Sequence, residues 1–64
     1  MTAPELRAAL KSLNLSQRSL AERLGVEPAT VNRWATGKVP VPQYAVYVLG
    51  LLAERREIAA KLGA

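Results

Sequence analysis

The stretch Gln17 to Trp34, QRSLAERLGVEPATVNRW, decides how the rest of the chain is read. It describes two short helices joined by a tight turn. Ser16 is a good N-cap, and Leu15 before it can staple onto Leu20 at the fourth helical position. Leu20 and Leu24, with the small Ala21 beside them, mark the inward stripe of the first helix. Gly25 falls where that helix must end in a left-handed residue, a conformation glycine adopts without steric cost. Val26 follows as a buried plug. Pro28 then fills the first position of the second helix, where a missing N–H does no harm. Val31 and Trp34 give that helix its inward face, which makes Trp34 a core residue rather than a stacking platform.

Two helices about a turn apart, with a small residue at the crossing and a glycine between them, form a helix-turn-helix. The residues carry a family resemblance as well. Gln17, Ala21, Gly25 and Val31, with the apolar set Leu20, Leu24, Val26 and Trp34, are similar to the lambda-repressor-like regulators of phages and bacteria. The following Trp34-Ala35-Thr36-Gly37-Lys38-Val39-Pro40 resembles that family's way of closing its recognition helix. The resemblance spans roughly residues 5 to 53 and implies binding to double-stranded DNA.

Each site residue has its own reason. Gln17 and Arg18 lie in the first turn of a helix, where free N–H groups and the helix dipole favour an anion. In the resembling family this turn abuts a DNA phosphate, and Gln17 matches its glutamine there. With Val31 and Trp34 turned inward, Ala29, Asn32 and Arg33 face out of the helix Pro28 to Ala35, with Thr30 at its flank. A major groove admits one such helix. There Arg33 can bond bidentately to guanine, Asn32 can pair with adenine, and Ala29 can rest on a thymine methyl. Lys38, just after Gly37, matches the family's phosphate-clamping loop. The expected base readers are therefore Ala29, Asn32 and Arg33, and the expected phosphate contacts Gln17, Arg18, Thr30 and Lys38. Glu27-Pro28-Ala29 departs from the family, which often has polar side chains there. Specificity then leans on Asn32, Arg33 and DNA shape.

Composition agrees with a polyanion partner: a net charge of +4 and a pI of about 10.1 on 64 residues. The chain has no His, Cys or Asp, which removes the usual nucleophile–base pairs and nearly every transition-metal ligand set. No enzyme activity, metal, cofactor or small-molecule ligand is expected. No apolar run is long enough to span a bilayer, so the expected location is the cytoplasm, on the nucleoid when DNA is bound.

The flanks complete the domain. Thr2-Ala3-Pro4-Glu5 is a capping box, Leu6, Ala9, Leu10 and Leu13 recur at helical spacing, and Asn14 closes that first helix. Arg7 and Lys11 on another face read as solvated surface. The last helix, 42–62, carries two apolar stripes. Ala45, Val48, Leu49 and Leu52 suit a core, while Tyr44, Tyr47, Leu51 and Ile58 are left over as a dimer interface. Gly50 within it marks a kink or a close approach.

The expected fold is all-α, a single lambda-repressor-like domain of four to five helices over residues 1–64, with the motif at 17–36. The expected function is sequence-specific DNA binding by a homodimeric repressor or autoregulator. The alternatives are a protein-interaction module, or a non-specific nucleic-acid binder, built on the same scaffold.

Overall fold

The computed structural model describes residues 1–63, with side chains as far as Glu57. It is all-α: α1 (Ala3–Ser12), α2 (Gln17–Leu24), α3 (Pro28–Ala35) and α4 (Gln43–Gly63). The helix starts obey local chemistry. The Thr2 hydroxyl accepts from the Glu5 N–H at 3.2 Å, and the Glu5 carboxylate accepts from the Thr2 N–H at 2.7 Å. That return bond holds the Glu5 carboxyl below its ordinary range. Ser16 caps α2 by accepting from the Ser19 N–H at 3.0 Å. Glu27 occupies the N-cap of α3 but makes no side-chain cap; Pro28 and the Glu27 carbonyl, which accepts from the Thr30 N–H at 2.9 Å, organise that start.

The helix ends share one device. Asn14, Gly25 and Gly37 lie in the left-handed region, at φ 56°, 71° and 81°. After each, a backbone N–H reaches back five residues to a helix carbonyl: Leu15 to Leu10 at 2.9 Å, Val26 to Ala21 at 3.0 Å, Lys38 to Arg33 at 3.0 Å. This is the Schellman closure, and it satisfies carbonyls that the helix cannot.

The core takes residues from all four helices: Leu6 and Leu10, Leu20 and Ala21, Val31, Trp34 and Ala35, Ala45 and Leu49. Each fully buried leucine removes about 1.5–3 kcal/mol worth of apolar surface from water. Val26, expected to be a buried plug, is only half-buried; with Leu13, Leu15 and Leu24 it packs around the core edge. Along α4, Val48 and Leu52 are half-buried beside the buried Ala45 and Leu49. α4 runs unbroken through Gly50, and nothing lies within 4 Å of where a Cβ would stand there. Gly50 therefore does not interrupt the helix, and no close approach from within the described residues exists.

Arg7 departs from the surface role expected of it. Its guanidinium donates to the Ala35 carbonyl oxygen, joining α1 to the last turn of α3. A cation at a helix C-terminus is favoured by the carbonyls it meets. No described helix is long and apolar enough to cross a membrane.

Candidate nucleic-acid interface

The eight residues of α3 divide cleanly by burial. Val31, Trp34 and Ala35 are buried, while Ala29, Asn32 and Arg33 are exposed. At 3.6 residues per turn, positions 29, 32, 33 and 36 fall on one side, so the exposed set is a continuous face. Thr30 at its flank is half-buried. Trp34 keeps only 3% exposure, and its ring meets Tyr44 edge-on at a centroid distance of 6.0 Å. It is packing, not a platform for a base.

The end of α3 is fixed carbonyl by carbonyl. Asn32 O accepts from the Thr36 N–H and hydroxyl, both at 2.9 Å. Arg33 O accepts from the Lys38 N–H at 3.0 Å and the Val39 N–H at 3.3 Å. Trp34 O accepts from the Gly37 N–H at 3.3 Å, and Ala35 O accepts from Arg7. All four C-terminal carbonyls are thereby satisfied, and the loop holding Lys38 is tied to the helix holding Arg33.

The other edge of the face is set by α2. Asn32 Nδ2 donates to Gln17 Oε1 at 3.2 Å, so two residues assigned different roles from sequence stand together. The bond uses one of the two Asn32 amide hydrogens and one acceptor of Gln17. Asn32 keeps an N–H and its carbonyl, the pair that adenine needs, and Gln17 keeps both amide hydrogens for a phosphate oxygen. Arg18 is exposed on α2 and pairs with Glu22 at 3.7 Å. An exposed pair of this kind is weak enough for a phosphate to displace.

Sequence reading missed three contributors: Arg7, the Thr36 hydroxyl and the Gln17–Asn32 bond. Thr36 had a local signal, since threonine often bonds back to a carbonyl one turn earlier. Arg7 had none, because its partner lies 28 residues away.

On α4, Tyr44, Tyr47 and Leu51 remain 50%, 66% and 48% exposed, at helical spacing. Ile58, expected to extend that side, lies outside the residues whose side chains are described.

A family model described as helix-turn-helix matches residues 6–46, from the middle of α1 into the first turn of α4. No curated protein and no solved structure matches the chain.

Proposed function

This chain belongs to the helix-turn-helix family, in its lambda-repressor-like class of DNA-binding transcription regulators, and from that premise we propose a sequence-specific repressor or autoregulator. α3 lies in the major groove of double-stranded DNA. Ala29, Asn32 and Arg33 read base edges, and Gln17, Arg18, Thr30 and Lys38 meet phosphates on either side. The observation that carries this reading is the exposed face of α3, flanked on one side by Gln17, bonded to Asn32, and on the other by the loop of Lys38, whose backbone is bonded to Arg33. A reading face needs positions set in advance, because phosphate contacts fix the register in which bases are read.

In this reading the whole of 1–64 is one functional unit, with the motif at 17–36 and the helix from 42 to 62 as dimerisation element. The exposed side of α4, Tyr44, Tyr47 and Leu51, meets its own copy across a two-fold axis. Ile58 is proposed as its extension. Two copies of α3 then stand about one turn of DNA apart, roughly 34 Å. Regulation works by occupancy of the site, with no small-molecule effector and no catalytic step.

Selection of bound duplexes from a random pool tests the reading. The expected product is an inverted repeat with half-sites about ten base pairs apart. Equal enrichment of all sequences would leave only non-specific binding, and no enrichment at low salt would make the domain a protein-interaction module.

A further inference from the structure

A groove along α4 has no part in the DNA-facing set, and most of its α4 wall lies beyond the family match at residue 46. Between α1 and α4 it is an apolar recess of about 320 Å³, walled by Ala9, Leu13, Leu49, Gly50 and Ala53 among others. Past Leu13 it opens into a second recess of about 400 Å³. There Leu13, Leu15 and Leu52 form the floor, and Arg23, Arg55 and Arg56 the rim. A connecting stretch bordered by Ser12, Glu54 and Glu57 joins the two.

Two features of this groove are unused by the fold. Gly50 is among the least favourable residues for a helix interior, yet nothing in the described structure occupies the space its missing side chain leaves. Arg23, Arg55 and Arg56 converge without a partner: among the described residues the one ion pair is Arg18 with Glu22.

We infer that this groove docks another protein, through an amphipathic helix whose apolar face lies over Gly50 and whose acidic end meets Arg23, Arg55 and Arg56. Charge complementarity selects that occupant. A second copy supplies it poorly: the chain carries a net charge of +4, its glutamates at 22, 54 and 57 each adjoin an arginine, Glu5 is held in its own capping box, and Glu27 stands at the N-cap of α3. An apolar helix face fits a groove floored by small residues, and the guanidiniums set its direction.

The probe is a synthetic helical peptide with leucines on one face and glutamates in its terminal turn, titrated into the 15N-labelled full chain. The amides of Leu13, Gly50 and Ala53 should shift, and a lysine-for-glutamate peptide should bind at least about tenfold more weakly. The double variant Arg55→Glu, Arg56→Glu should lose a similar factor. Gly50→Leu should abolish binding with no fall in melting temperature. If that variant melts early, the arginine variant decides. The inference is overturned if the peptide leaves these amides unmoved at millimolar concentration or binds Gly50→Leu undiminished. It is equally overturned if both peptides bind alike or if the shifts fall on Asn32 and Arg33. Each readout is independent of DNA, so failure here leaves the proposed DNA function standing.

Discussion

Lys38 donates its backbone N–H to the carbonyl oxygen of Arg33 at 3.0 Å. The corresponding pairs at the two earlier corners are Leu15 with Leu10 and Val26 with Ala21, all apolar and packed in or around the core. The same main-chain closure thus seals the core twice and, the third time, joins the backbones of two exposed cationic residues. That juxtaposition depends on Gly37, which supplies the left-handed φ of 81° between them.

Gly37→Ala therefore tests the corner. The new Cβ would meet only the Ala3 Cβ at 3.8 Å, an ordinary contact, so the cost is conformational rather than steric crowding. It should destabilise the fold by about 1–2 kcal/mol, measured by urea titration, and weaken DNA binding beyond that loss. Gly25→Ala, at φ 71°, should cost similar stability with less effect on DNA. Equal DNA affinity for Gly37→Ala and wild type, with both folded, would detach the corner from function.

Arg33 and Lys38 should separate by the kind of DNA they affect. Arg33→Ala should cost about 1–3 kcal/mol at the selected site and relax preference at one base pair. Lys38→Ala should weaken all duplexes alike and lower the log–log salt slope by about one. Shift assays on selected and random duplexes across salt distinguish the two. Equal losses on both duplexes for Arg33→Ala would make it a phosphate contact.

Arg7 should behave as a structural residue despite its charge. Arg7→Ala leaves the Ala35 carbonyl without its donor and unties α1 from α3. A loss of about 1–2 kcal/mol in thermal or urea unfolding is expected, with an unaltered salt slope for DNA. A shallower slope would instead place Arg7 against a phosphate.

Leu51→Glu addresses the proposed dimer. Leu51 is 48% exposed, so the single chain can tolerate a carboxylate there. A two-fold axis would set that charge near its own copy and desolvate it. Light scattering should report a monomer with unchanged helicity, and tight binding to the full inverted repeat should be lost while weak half-site binding remains. A wild-type chain that is monomeric at high micromolar concentration would rule the dimer out.

Much of this was legible in the sequence because it is local. Ser16, Gly25, Pro28 and the Thr2–Glu5 box act within a few residues of themselves, and the burial of Val31 and Trp34 follows from period alone. The outward residues of α3 were legible as the complement of the buried ones. What escaped depends on distance through space. Nothing near Arg7 announces Ala35, and the Gln17–Asn32 bond exists only once α2 and α3 have crossed. Gly50 could be flagged as costly from sequence, but only the fold shows that nothing in the described chain fills its space.

The alternation along α3 has an evolutionary reach. Val31, Trp34 and Ala35 hold the helix, whereas Ala29, Asn32 and Arg33 project from it without entering the core. Exchanges at such exposed positions generally change stability by no more than about 0.5 kcal/mol. In the proposed reading, the address on DNA can therefore be rewritten one letter at a time at little cost to the architecture, so a lineage carrying it can change targets without first having to become more stable.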